Sequence, residues 1–163
     1  MARTQKALRE LKAGTQLPPL VKRVDDSHID LYYQRLLLLT EKVDRRFKNY
    51  AKGPNIHTDD AAAKAAGFPN RVVPGILSYS FISEMLSRFF GIGWVQGGKI
   101  DLAFNRPFLV GEKITCEAEV LKIIALKKSK ERLAEVEIRC KNPAGDVVSA
   151  GSAQVRLKAE QGP

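Results

Sequence analysis

Pro74-Gly75-Ile76-Leu77-Ser78-Tyr79-Ser80-Phe81-Ile82-Ser83-Glu84-Met85-Leu86-Ser87-Arg88-Phe89-Phe90-Gly91 is the stretch on which the fold turns. A proline and glycine in front and a glycine behind punctuate one uninterrupted run, and the pattern predicts a helix over 76–90. Its apolar residues, from Ile76 and Leu77 through Tyr79, Phe81, Ile82, Met85 and Leu86 to Phe89 and Phe90, cover too wide an arc for a helix with one buried face. The expectation is a central helix packed on by the rest of the domain.

Downstream of that helix, from Gly93 on, the chain reads as strand throughout. Residues 99–104 lead to Asn105-Arg106-Pro107. Ile114, Cys116, Ala118 and Val120 then alternate with Thr115, Glu117 and Glu119, and Ala134, Val136, Ile138 and Cys140 alternate with Glu135, Glu137 and Arg139. Asn142-Pro143-Ala144-Gly145-Asp146 is a turn, and the last strand carries Ala153, Val155 and Leu157 on one face. One apolar helix succeeded by antiparallel strands predicts an α+β domain with a curved sheet wrapped around that helix.

Upstream, 15–24 reads as a first strand interrupted by Pro18 and Pro19, and Ser27-His28 opens a helical stretch reaching about Tyr50. His28 is a cap-region or surface residue in this reading. Gly53-Pro54-Asn55 breaks the helix, after which Thr58 or Asp59 caps a short helix that ends at Gly67. The division is a basic N-terminal tail over 1–14 and a single domain over 15–158, with an extended helical segment near 28–50.

Composition bounds the rest. A chain of 163 residues with 44% apolar content can bury one good core. No window approaches the ~18 apolar residues of a membrane span, and the basic start, with Arg3, Lys6, Arg9 and Lys12 three apart, lacks the apolar region of a secretory signal. That start is a solvated tail or an organelle address. Cys116 and Cys140 lack any C-x-x-C partner, so they read as small core residues in a reducing compartment, the cytoplasm, with no metal implied. The net charge of +9 would attract a polyanion. The charges are nevertheless spread along the chain, with no aromatic-and-basic signature for nucleic acid and no Gly-rich phosphate loop. Lys122, Lys127, Lys128, Lys130 and Arg132 form the densest basic cluster, a solvated hairpin turn or a dock for a phosphate-bearing ligand.

Chemistry concentrates in Pro54-Asn55-Ile56-His57-Thr58-Asp59-Asp60, then Gly67-Phe68 and Val72-Val73-Pro74-Gly75. His57 stands just before a helix start, where its ring can face a cavity and move a proton near neutral pH. Gly75 opens the central helix, where unpaired N–H groups favour an oxygen gaining negative charge.

In order and spacing these pieces, together with Phe104-x-x-Pro107-Phe108-x-x-Gly111-Glu112, resemble the MaoC-like, or R-specific enoyl-CoA hydratase, branch of the hot-dog fold, over most of 55–157. The resemblance implies a homodimer that takes an acyl thioester of coenzyme A, or of an acyl carrier, in a tunnel at the subunit interface. It also implies reversible addition of water to a 2-enoyl thioester, with no cofactor beyond the coenzyme A of the substrate. In that family the site reads Asp-x-Asn-Pro-x-His. His57 falls on its His, and Gly75 on the glycine whose backbone N–H holds the thioester oxygen. This chain departs from the pattern at three points: Lys52 stands where the family has its Asp, Pro54-Asn55 replaces Asn-Pro, and Pro74-Gly75 replaces His-Gly. Asp44 is a candidate replacement acid, Asp59 reads more simply as a helix cap, and Asn55, Lys52, Lys128 and Lys130 are candidate substrate-binding residues. The expected function is a hydratase or dehydratase. A non-catalytic thioester-binding or structural subunit, or a thioesterase, is the alternative.

Overall fold

The computed structural model of the chain describes Leu8 and residues 10–40, 53–126 and 131–157, the side chains of 39 and 40 excepted. In chain order the elements are β1 (Leu20–Arg23), α1 (Asp26–Thr40), α2 (Asp60–Ala65), α3 (Gly75–Phe90), α4 (Ile92–Gly97), β2 (Lys99–Phe104), β3 (Lys113–Ala125), β4 (Arg132–Lys141) and β5 (Val147–Leu157). The five strands form one curved antiparallel sheet in the order β1-β3-β4-β5-β2, and α3 packs against it.

Alternation builds the sheet's inner face. Along β3, Ile114, Cys116, Ala118 and Val120 are buried; along β4, Ala134, Val136, Ile138 and Cys140; along β5, Ala153, Val155 and Leu157. They meet Ile82, Met85, Leu86 and Phe90 of α3 and Ile29 and Tyr33 of α1 in a single core. Burying an aliphatic side chain as large as Ile82 or Leu86 contributes about 1.5–3 kcal/mol, so this one interface accounts for much of what holds the domain together. Cys116 and Cys140 are cross-strand partners with their sulfurs 3.2 Å apart. The hydrogen bond between them, and then burial, push the Cys116 thiol above the ordinary thiol range.

The outer features refine the reading. Leu11 is buried in the core and Leu8 packs against it, and Arg132 donates to the Leu8 carbonyl at 2.8 Å, so part of the stretch read as a tail lies on the domain. Gln16 bridges Glu119 before Pro18 and Pro19 interrupt pairing, and β1 resumes at Leu20. The portion of the long helix expected beyond residue 40 lies outside the described residues. His28 is an exposed cap-region residue, its Nδ1 2.8 Å from Asp25 Oδ1. One expectation is corrected: the chain does not pass straight from Gly93 into strand, because Ile92–Gly97 forms α4. Gly91 at φ 58 lets the chain turn out of α3, and buried Trp94 fastens the new helix by donating its indole N–H to Ser83 Oγ at 2.9 Å. Among the described residues no helix is long and apolar enough to cross a membrane.

Candidate active site

The turn before α2 presents His57. The Asn55 carbonyl accepts the N–H groups of Thr58 and Asp59 at 3.1 and 3.0 Å, while Asn55 Oδ1 accepts the His57 N–H at 2.9 Å and Nδ2 donates to the Gly53 carbonyl at 3.2 Å. Tyr33, buried in α1, adds its hydroxyl to the same Oδ1 at 3.4 Å and sets its ring 6.4 Å from the imidazole. Asn55 thus spends its amide on folding the turn that aims His57.

A second strap fixes the ring. Around the isolated bridge of Val72 with Leu109, the Val72 N–H meets the Ile56 carbonyl at 2.9 Å and the Val73 N–H meets the Phe108 carbonyl at 2.7 Å. Arg71, ion-paired with Asp26 of α1 and with Asp60 of α2 at 3.0 Å, ties both helices to it. The Val72 carbonyl lies 2.6 Å from His57 Nδ1. A carbonyl only accepts, so Nδ1 carries a proton; in the neutral ring Nε2 is then the bare nitrogen, able to take a proton from a water or hydroxyl.

The same segment delivers Pro74-Gly75 to the start of α3. Pro74 is the N-cap and offers no side-chain cap; the Leu77 N–H turns back to the Pro74 carbonyl at 2.9 Å, which leaves the Gly75 and Ile76 N–H groups of this helix of 16 residues without an intrahelical acceptor. The positive end of the helix dipole adds to their pull on an oxygen. A Cβ at Gly75 would stand 3.2 Å from the Phe104 ring, so only a residue without one lets that ring close over the helix start undisturbed.

His57 and Gly75 share one cavity of about 400 Å³, whose polar wall also includes Ser78, Arg106 and Ser149 and whose apolar wall includes Phe104 and Phe108. A β-bulge shapes its floor: Cys140 pairs with Ser149 and Lys141 with Val147, leaving Val148 as the extra residue. Val148 and Ser149 are consequently both buried against the cavity, and the Val148 carbonyl anchors the Asn105 and Arg106 N–H groups at 2.9 and 3.2 Å. At the mouth Arg106 pairs with Asp146 at 3.2 Å.

Of the expected residues, His57 and Gly75 come together, whereas Asn55 stands behind the site and Asp59 is the N-cap of α2, its Oδ1 accepting the Ala62 N–H at 2.7 Å. Asp44, Lys52, Lys128 and Lys130 lie outside the described residues. Ala125 and Arg132, which flank the basic turn, pair at the end of β3 and β4 remote from the Cys140–Ser149 pair that floors the cavity. Among the described residues that line the cavity there is no carboxylate. Ser149, Arg106 and Phe104 were missed by the sequence reading. For Ser149 a signal existed, since stepping back by twos from Leu157, Val155 and Ala153 reaches Gly151 and then a hydroxyl on the inner face.

Comparisons with known proteins agree with this geometry on one family. Residues 50–141 match the family model described as MaoC like domain. The chain is 29% identical over 103 residues to the 3-hydroxyacyl-[acyl-carrier-protein] dehydratase FERN, mitochondrial, of Solanum lycopersicum, covering 63% of this chain and 59% of that protein. It therefore spans less than two thirds of that relative's length. Among solved structures it is similar to the MaoC-like dehydratase from Rhodospirillum rubrum, with a TM-score of 0.69, 20% identity, and 94% of this chain and 97% of that one covered. It is also similar to the (R)-hydratase from A. caviae involved in PHA biosynthesis, with a TM-score of 0.66, 23% identity, and coverage of 91% and 98%. The structural likenesses establish the hot-dog fold.

Proposed function

Because the chain belongs to the MaoC-like domain family, we propose that it adds water to a 2-enoyl thioester, or removes it from a 3-hydroxyacyl thioester, carried by coenzyme A or an acyl carrier. The observation that carries the reading is the meeting of His57, its bare Nε2 fixed by the Val72 carbonyl, with the open N-terminus of α3 in one cavity. In the hydration direction His57 Nε2 takes a proton from water as the water oxygen bonds to C3. The electron pair of the double bond moves toward the thioester oxygen, which faces the Gly75 N–H, and the imidazolium then returns a proton to C2. Atoms and charge balance without a cofactor.

The accessory groups belong to the same proposal. Asp44 is the candidate for an acid that shares the water with His57, since Asp59 is engaged as a cap. Lys52, Lys128 and Lys130 are proposed to attract the phosphates of the carrier, a role that the net charge of +9 supports and that for the remote turn is one of long-range attraction. A homodimer is proposed across the outer edge of β2, where no strand pairs among the described residues and where Phe104, Ile76 and Tyr79 leave apolar surface exposed beside the cavity. The buried thiols fit a reducing compartment such as the cytoplasm, although the organelle in the tomato relative's name would suit them as well.

The absence of a carboxylate among the described lining residues favours one second reading, a subunit that binds acyl thioesters without turning them over. Purified protein given crotonyl-CoA and longer enoyl-CoAs, followed at the enoyl absorbance, separates the two. We expect loss of that absorbance; tight binding with no turnover would give the binding subunit the lead, and release of free thiol would mark a thioesterase.

A further inference from the structure

Ser149 is 1% exposed, lies on the wall of the His57 cavity, and its Oγ has no nitrogen or oxygen hydrogen-bond partner. Its register neighbour on β4 is the Cys140 thiol, a weak partner. A buried hydroxyl left in this state costs stability, and Ala would fill the same place without the cost. The bulge beside it turns both Val148 and Ser149 onto the cavity, as bulges next to binding sites re-aim side chains. A local penalty of this kind on a binding wall points to a ligand that removes it.

Position says which ligand atom. Ser149 pairs with Phe104 across β5 and β2, and the Phe104 ring lies against Gly75 at the start of α3. Side chains directly opposite on neighbouring strands have Cβ atoms about 5 Å apart. Ser149 and Gly75 are therefore both neighbours of Phe104 on the wall of one cavity. Resting on the hydratase reading above, we infer that Ser149 is a second donor to the thioester carbonyl oxygen, opposite the Gly75 N–H. When the water oxygen bonds to C3 and the double-bond pair moves to the thioester oxygen, that oxygen gains negative charge, and the Ser149 O–H exchanges a weak sulfur neighbour for a strong acceptor. Its proton stays on Ser149, and in the dehydration direction the same bond weakens again. Two converging donors bind an enolate oxygen better than the ground-state carbonyl, which raises the rate more than the affinity.

The test compares wild type with Ser149→Ala, and with Ser149→Cys, which keeps the shape with a weaker donor. Butyryl-CoA labelled with carbon-13 at the carbonyl reports polarisation by infrared difference spectroscopy, crotonyl-CoA hydration reports rate, and thermal melting reports folding. For Ser149→Ala the expected results are a carbonyl band moved back toward its frequency in water, kcat lower by about ten- to a hundredfold with KM within about threefold, and a melting temperature equal to or above wild type. Ser149→Cys should move band and rate in the same direction by less. If wild type binds butyryl-CoA and both variants match its band and rate, the Ser149 assignment is overturned and the hydratase reading stands. The band decides this even for a protein that binds without turnover. If wild type neither binds butyryl-CoA nor consumes crotonyl-CoA, the thioester reading fails and this inference falls with it.

Discussion

At His57 two hydrogen bonds do different work. The backbone bond to Asn55 Oδ1 sets where the residue sits, and the ring bond to the Val72 carbonyl sets which nitrogen is protonated. A neighbouring carboxylate would fix the tautomer and also stabilise the imidazolium; a carbonyl does the first and contributes less to the second. His57 is therefore expected to act as a base whose free nitrogen is set by its backbone partners. His57→Ala should keep the fold, since the ring is only partly buried, while hydration slows by about two to four orders of magnitude. Circular dichroism with crotonyl-CoA kinetics checks both halves, and equal turnover in mutant and parent would remove His57 from the chemistry. The residue itself was legible as a histidine placed before a helix start. Its tautomer was not, because the acceptor that decides it comes from a segment 15 residues away.

Helix α2 puts a competing assignment to the test. Asp59 could serve as an acid or as a cap, and in the structure its carboxylate takes the Ala62 N–H with the extended backbone, φ −135 and ψ 126, of an N-cap. Asp59→Ala should then cost about 1 kcal/mol of stability, a fall in Tm of about 2–4 °C, with hydration kinetics unchanged. A rate loss on the order of that for His57→Ala would show that Asp59 acts on substrate. The elements that could be read from sequence share one trait: many residues repeat the same message. Helix α3 carries apolar residues over four turns between Pro74 and Gly91, and β3 and β4 alternate over several pairs. The missed features are those too short to have a period. Six residues of α4 depend on the φ of Gly91 and on one bond from Trp94, and the bulge at Val148 is a register shift of one residue that appears only when β4 is laid beside β5. The candidate site follows the same rule: the turn that bears His57 and the Pro74-Gly75 helix start are readable from local motifs, and strand alternation reaches Ser149, but the bulge that seats it on the cavity wall shows only in the pairing of β4 with β5.

For the molecule as a whole, the two edges of the sheet differ. The β1 edge carries Lys22 and Arg23, and Lys22 is engaged with Glu84 at 2.8 Å. The β2 edge ends at Phe104, more than half exposed, with Ile76 and Tyr79 of α3 also exposed. A second copy laid along β2 would satisfy the open strand and cover that surface. Sedimentation should then report a species of twice 18.1 kDa, and a monomer at all concentrations would defeat the arrangement. Phe104 connects this to turnover, because the ring at the open edge is the ring that closes over Gly75. Pull the second copy away and the ring loses its backing, so the lone chain should be a poor catalyst. On serial dilution through the dissociation constant, initial rate should stop tracking protein concentration linearly and begin to follow its square, as mass action requires when only the pair is active. A strictly linear plot across the sedimentation midpoint would mean that each chain works alone.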